Sequence, residues 1–292
     1  MLTRRGEPDP QHIRVTLDGP VGVITIARRE RFNSMDVTTA REFRAAGLRV
    51  ARDSAIRCVV IRGEGGVFCS GADLKYIRDR GEPSDFGYLQ PEKVGPGKGY
   101  GESFKQILEY IHSAISEIRR APKPFIAAVD GMAAAGGFGI AMACDLVVAS
   151  ERAAFEWAYH KTGLSGAESS TFFLPQLVGL RKAMEFVLLN PRLSAVEAQT
   201  LGLVNRVFAD DTFESDTMAM AQDLAAGPVH AYAVAKSLLN QAAGVDRLDF
   251  HLDQELQHLA RIADGPEFAE GLAAFFDRRA PVFGATSPDP SP

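Results

Sequence analysis

The chain has 292 residues, 46% of them hydrophobic, with 32 Lys and Arg against 37 Asp and Glu and a formal net charge of -5. That length suits one large or two small domains of ordinary globular composition, and the charge leaves no basic stripe to neutralise a nucleic-acid backbone or an anionic membrane surface. Apolar runs such as Phe125 to Val129 and Leu146 to Ala149 are far shorter than the roughly 20 residues that cross a bilayer, so neither nucleic acid nor a membrane is expected as a partner.

The opening MLTRRGEPDPQH lacks the apolar stretch of a secretory signal. Cys58, Cys69 and Cys144 have neither paired nor CxxC spacing. A reduced, cytoplasmic protein without disulfides is expected, with residues 1–12 as a flexible N-terminus. Ile13 to Leu17 and Val21 to Ile26, separated by Asp18, Gly19 and Pro20, predict a hairpin. Val37 to Arg52 then places Val37, Ala40, Phe43, Leu48 and Ala51 on one helical face, with Asp36 able to cap its start. Ile56 to Gly63 is a buried strand.

From Ile77 to Gly101 the prolines and glycines are too dense for helix or ladder, which predicts a disordered insert or a lid over a site. A helix follows over Glu102 to Arg120, stopped by Pro122 and Pro124. Next come a strand over Phe125 to Val129, a small-residue helix over Gly137 to Ala143 and a strand over Leu146 to Ala149. Beyond residue 160 the pattern turns helical. Ser194 and Glu197 form a capping box, and amphipathic segments occupy about Thr212 to Ala226, Val229 to Ala242, Leu248 to Ala263 and Glu267 to Arg278. The organisation expected is an α/β core over 13–208, a helical region over 209–284 and a disordered polar tail over 285–292.

Two segments join a buried strand to a turn of small residues: CVVIRGEGGVFCSGADL, Cys58 to Leu74, and FIAAVDGMAAAGGFGIAMACD, Phe125 to Asp145. In the second, a helix start exposes unpaired N–H groups at the positive end of its dipole. The dinucleotide fingerprint fails because Met142 stands where a third Gly or Ala is required. No GxxxxGK[ST], HExxH or GxSxG is present. Two converging backbone donors would make an oxyanion hole; the alternative is that these glycines only let helix and strand pack closely.

NSMD at Asn33 to Asp36, FCSGADLK at Phe68 to Lys75, Ala127 to Ser150, Arg192 to Phe208 and Pro266 to Gly284 together resemble the enoyl-CoA hydratase/isomerase (crotonase) superfamily. The resemblance spans about Ile13 to Phe283, in order. It implies a crotonase-like ββα spiral core with a C-terminal helical trimerisation region, a homotrimer or hexamer, and an acyl-CoA thioester as substrate. No cofactor is implied beyond the coenzyme A of the substrate itself.

On that resemblance, the N–H groups of Ala72 and Gly136, the latter beside Gly137, would hold the thioester carbonyl. The CoA adenine would lie near Ser70, Asp73 and Leu74. Arg29, Lys75 and, from a neighbouring subunit, Arg279 could meet its phosphates, or be solvated surface charges. The two hydratase glutamates fall at Gly139 and Tyr159, neither of which exchanges a proton as a carboxylate does, so hydration by that route is not expected. The isomerase carboxylate falls at Ala167, with Glu168 next to it as the candidate proton carrier, or as a solvent-facing carboxylate at a helix start.

The segment Phe155 to Leu164 looks closest to the 4-chlorobenzoyl-CoA dehalogenase branch and its isomerase relatives. His112 falls on that branch's base, Tyr159 near its pocket aromatic, and Ala167 on its nucleophilic Asp. His112 also sits beside the stripe of Ile111, Ile115 and Ile118, as a core-edge histidine would. Phe155, Trp157, Tyr159, Phe172 and Phe173 suggest an aromatic entrance for a flat acyl group, or a core. His12, His230, His251 and His258 have no metal spacing, and Cys69 and Cys144 are expected as buried thiols. Three readings stay open: an enoyl-CoA double-bond isomerase, a hydratase, hydrolase or dehalogenase-like enzyme using His112 or Tyr159, and a CoA-ester binder without turnover.

Overall fold

The computed structural model describes residues 10–81, 85 and 99–284. Most of the expected flexible N-terminus, the Pro- and Gly-rich lid and the polar tail lie outside these residues. Among the described residues the elements run β1 (Ile13–Asp18), β2 (Val21–Ile26), α1 (Val37–Arg52), β3 (Cys58–Gly63), β4 (Val67–Cys69), α2 (Leu74–Arg78), α3 (Tyr100–Arg120), β5 (Phe125–Val129), β6 (Met132–Ala134), α4 (Gly136–Ala143), β7 (Leu146–Ser150) and β8 (Ala154–Glu156). Then follow α5 (Ser170–Val178), α6 (Leu180–Leu189), β9 (Arg192–Ser194), α7 (Ala195–Thr200), β10 (Arg206–Phe208), α8 (Phe213–Ala226), α9 (Val229–Ala242), α10 (Leu248–Ala263) and α11 (Pro266–Asp277).

Six strands form one sheet in the order β1-β2-β3-β5-β7-β10, and β4-β6-β8-β9 form a second. The β1-β2 hairpin is antiparallel and the rest of the larger sheet is parallel. Each successive pair, β3/β4, β5/β6 and β7/β8, gives one strand to each sheet before a helix carries the chain onward, so the chain climbs as a ββα spiral.

The larger sheet is covered on both faces, which is why its strands read as near-continuous apolar runs. Ile24, Ile26, Val59 and Ile61 pack with Phe43, Ile107, Ile111 and Ile115 of α1 and α3. Val21, Val23, Val60, Ile126 and Val148 instead meet Phe213, Ala221 and Ala225 of α8. The Asp36 cap and the Ser194/Glu197 capping box both form. Helix α4 begins at Gly136, one residue before its expected start, and α11 begins at Pro266, where proline suits a first turn. The second sheet was not visible in the sequence, because strands of three residues are too short for a period of two to show.

Candidate active site

The sheets position two loops back to back. Ser70–Asp73 follows β4, and Ala135–Gly136 opens α4. Met35 pairs with Ala72 in a parallel bridge, the Met35 N–H donating to Gly71 O (2.8 Å) and the Asp73 N–H to Met35 O (2.8 Å). Those two bonds leave the Ala72 N–H out of the ladder. Gly136 is the first residue of α4, and a helix has no internal acceptor for its first N–H groups.

Gly71 has φ +94, and a Cβ built on it would lie 2.8 Å from the Ala135 Cβ and 3.1 Å from the Gly136 nitrogen. Only glycine allows the two turns to come so close. Ala135 itself sits at φ 47, ψ -117, an alanine in strained backbone that turns the next peptide. Gly137 is tucked beneath β4, where a Cβ would be 2.1 Å from Cys69 O.

The Ser70–Asp73 loop is anchored by charges. Asp73 accepts the Lys75 and Tyr76 N–H groups at the start of α2 and pairs with Arg28 (2.9 Å) and Arg31 (2.5 Å). Arg28, itself buried, also pairs with Asp36 (2.6 Å). Asn33 receives the Arg28 N–H and donates to Glu64 O and Val67 O. The Asp73 carboxylate is thus occupied as a brace for the loop. Burial opposes its ionisation, but Arg31, Tyr76 and Arg28 outweigh that and hold its carboxyl below the usual range.

Glu168 lies across from this loop pair, buried, at φ 52, and Ser169 after it is also left-handed at φ 62. Each such non-glycine residue costs on the order of 1 to 2 kcal/mol. A Cβ on Gly136 would lie 2.7 Å from Glu168 Oε1, which sets the carboxylate against the first residue of α4. A Cβ on Gly139 would lie 2.3 Å from Glu168 O and 2.9 Å from its Cβ. The volume a side chain at 139 would need is filled by Glu168.

The Tyr159 hydroxyl contacts the Glu168 carboxyl and lies 3.2 Å from Ala167 O. It has one hydrogen. When Glu168 is protonated it can donate to the phenol, which donates to the carbonyl; when Glu168 is ionised the phenol can turn to it. Burial pushes Glu168 up to about 8, against a lowering from Tyr159 and with a further push from Glu255. Burial, then the neighbouring Glu168, raises Tyr159 well above the ordinary phenol range.

His112, on α3, and Glu255, on α10, close the far side. The Glu168 N–H donates to His112 Nε2 (3.2 Å). Glu255 Oε2 accepts the Ser169 N–H (2.8 Å), and Oε1 accepts the Thr171 N–H (3.0 Å) and hydroxyl (2.5 Å). Burial lowers His112 to about 4 and keeps it neutral. Burial also resists charge on Glu255, but hydrogen bonds from His251, Thr171 and the Ser169 N–H hold it below the usual carboxylate range. Two neighbouring carboxyls are therefore pushed apart, one ionised and one a neutral acid near pH 7.

The other expected residues are distributed differently. Trp157 is buried, with its Nε1–H donating to Ser170 Oγ (3.3 Å), and Phe155, Phe172 and Phe173 are buried too. Of the two readings open for these rings, the structure shows the core, with Phe172 on α5 stacked edge-on against His251 of α10. Ser70 and Leu74 are half-buried at the loop mouth. Arg29 and Lys75 are exposed, and Arg29 covers Gly65. Arg279 is exposed and paired with Glu270 (2.5 Å). Cys58, Cys69 and Cys144 are free, buried thiols, raised by burial to about 12.

Glu255 was missed in the sequence. Its signal was a carboxylate inside the apolar stripe of Leu248, Leu252, Leu256 and Leu259. Among the described residues, no helix is long and apolar enough to cross a membrane.

A family model described as enoyl-CoA hydratase/isomerase matches residues 17–93 and 97–286. The chain is 33% identical over 264 residues, 90% of each protein, to 4-chlorobenzoyl coenzyme A dehalogenase-2 of Arthrobacter. It is 31% identical over 263 residues to 1,2-epoxyphenylacetyl-CoA isomerase of Escherichia coli, covering 90% of this chain and 94% of that one. A crystal structure of an enoyl-CoA hydratase from Mycobacterium avium subsp. paratuberculosis superposes with a TM-score of 0.80 at 32% identity, over 94% of this chain and 98% of the other.

Proposed function

The chain belongs to the enoyl-CoA hydratase/isomerase family, in which acyl-CoA thioesters are processed, and from that premise we propose that it shifts a carbon–carbon double bond along an enoyl-CoA. The observation that carries this reading is one buried carboxyl, Glu168, set against Gly136, while the two hydratase glutamate positions hold Gly139 and Tyr159.

In this mechanism the thioester oxygen lies between the Ala72 and Gly136 N–H groups. As the C2–H bond breaks, Glu168 takes the proton and negative charge grows on that oxygen, where fixed donors stabilise it most. The C2–H electron pair becomes the C2=C3 bond, and the former C3=C4 pair takes the proton from Glu168 at C4. One carboxyl serves both carbons, and no water or co-reactant is consumed. Hydration would need a second carboxylate to activate water, and Gly139 has no room for one.

A proton carrier near 8 is matched to this task, since general acid–base efficiency is best when the group titrates near the working pH. The ionised form starts the reaction, so kcat/KM is expected to rise with pH through about 8. Coenzyme A enters as part of the substrate, with Ser70, Leu74, Lys75, Arg29 and Arg279 toward the nucleotide end. Apolar residues exposed on α6 and α9, among them Leu180, Met184, Leu188, Leu238 and Leu239, support a homotrimer or hexamer. The three unpaired thiols support a cytoplasmic site of action.

The test is exchange of the C2 proton of a 3-enoyl-CoA with deuterated solvent, followed with formation of the 2-enoyl product. Parent protein should do both, and Glu168→Gln should lose both. Exchange that survives in Glu168→Gln would remove the assignment. CoA release from aroyl or enoyl esters would favour a hydrolase, and binding without any exchange would favour a non-catalytic CoA-ester binder.

A further inference from the structure

We infer that His112 is a positioning residue, not the base, and that with Glu255 it forms a clamp holding the left-handed Glu168–Ser169 turn so that the Glu168 carboxyl faces Gly136. This rests on Glu168 being the proton carrier. Three N–H groups of the turn, those of residues 168, 169 and 171, are taken up by two side chains from helices far away in sequence. The acceptor on His112 is Nε2, the same nitrogen a base would use, and its lone pair is already engaged by the Glu168 N–H at 3.2 Å.

Glu255 uses both oxygens, Oε2 on Ser169 and Oε1 on Thr171, and its Oε2 lies 3.8 Å from His112 Nε2. A protonated ring would offer a donor where the Glu168 N–H needs an acceptor. The clamp therefore requires neutral His112, which burial secures down to about pH 4. Without these acceptors, buried N–H groups would be left unpaired in a turn that is already strained. The turn would relax toward right-handed backbone and swing Glu168 away from Gly136. A displacement of 1 Å at a reacting group can cost about 100-fold in rate.

The ionisable groups around the turn come from every side: Cys69 at the end of β4, Tyr159 before α5 and Glu255 on α10 face Glu168, while His112 on α3 is itself faced by His251, Asp253 and Glu255 of α10. Of these, Glu255 is the charge that raises Glu168. Removing it moves the rate profile downward in pH, which a purely structural role would not do.

The experiment measures C2 proton exchange on a 3-enoyl-CoA across pH for the full chain and three variants. His112→Gln puts an amide oxygen where Nε2 was and keeps the acceptor, so kcat should stay within ~10-fold of the parent, whereas His112→Leu should lose ~100-fold with KM nearly unchanged. Glu255→Gln leaves one acceptor oxygen in place of two. It should lower kcat ~10-fold or more and move the midpoint below the parent's. Amide hydrogen exchange across residues 168–171 provides a readout apart from activity and should quicken in His112→Leu but not in His112→Gln.

If His112→Gln is as inactive as His112→Leu while those amides stay protected, the ring is the base and the proposal is overturned. An unchanged midpoint and kcat in Glu255→Gln would overturn the Glu255 half. Loss of the underlying reading looks different: Glu168→Gln would retain exchange, whatever the clamp variants do.

Discussion

The half of the site that would receive the carbonyl is backbone from two neighbouring loops, Ser70–Asp73 and Ala135–Gly136. The half that would move the proton is side chains from four separate places: His112 on α3, Tyr159 in a 3-10 turn, Glu168 before α5 and Glu255 on α10. The first is rigid because a strand end, a helix start and an ion-pair brace leave the peptide no alternative. The second is held by contacts spanning 56 and 86 residues of sequence, so its geometry depends on the packing of α3 and α10 against the spiral. Backbone donors can be placed by short motifs, whereas a proton carrier must be placed by the fold.

The largest way to break that contrast is Glu168→Gln. Loss of a general acid–base group typically costs 10² to 10⁴-fold, and exchange should fall by about that much while ester binding persists. The same substitution should change stability with the opposite sign. Glu168 ionises at 4.5 when unperturbed and at about 8 in the fold. Between those pH values the unfolded chain has released the proton that the native state still holds, so this group's contribution declines as pH rises through that window. Glu168→Gln should therefore gain in Tm over the parent at pH 8 to 9 and lose that advantage near pH 4.5. Equal Tm differences at both pH values would contradict a buried neutral Glu168.

Next in size is the backbone half. Ala72→Pro deletes one N–H but spares the bridge to Met35, which uses Gly71 O and the Asp73 N–H. Removing a single oxyanion donor costs on the order of 10² to 10³ in kcat. The bound thioester carbonyl, read by its Raman stretch, should also lose polarisation. A full rate with an unshifted carbonyl band would mean that this loop does not hold the oxygen.

These two halves were unequally legible. The glycine clusters near Ala72 and Gly136 and the strand–helix rhythm through residue 160 lie in contiguous sequence, and hydrophobic period alone places β1, β2, β5, α9 and α10. Glu168 could be nominated from a motif offset, but its direction could not, because that follows from two left-handed residues whose cost is offset by groups far away in sequence. Glu255 was hidden among leucines. The bracing of Asp73 by Arg28 and Arg31 and the burial of Trp157 against Ser170 were equally hidden, since both depend on partners outside their own motifs.

Gly139 joins the two halves and gives a smaller, sharper test. It sits in α4, the helix that opens at Gly136, yet what confines it is Glu168 from the other half. Gly139→Ala must push a Cβ against backbone that cannot move freely, and overpacking of this kind costs typically 1 to 3 kcal/mol. The loss should appear both in the denaturation midpoint and in exchange activity, because the strain is relieved by moving Glu168. Restoring the hydratase residue with Gly139→Glu should then yield no hydration at all. If it did hydrate a 2-enoyl-CoA, Glu168 would have to be able to leave its place, and the two halves would be less interdependent than their packing indicates.

The smallest effect is expected at the rim. Lys75 is exposed on α2, directly after the loop that carries Ala72, and the phosphates of coenzyme A are the charges it could meet. An exposed pair of this kind is worth little and is screened by salt. Lys75→Ala should therefore raise KM only a few-fold at low ionic strength, with kcat unchanged, and the difference should vanish near 0.5 M salt, where the Debye length is down to about 4 to 5 Å. A kcat effect that survived salt would mean that Lys75 acts on the Ala72 loop itself. Helix α2 would then belong with the rigid half rather than with the surface proposed to meet the nucleotide.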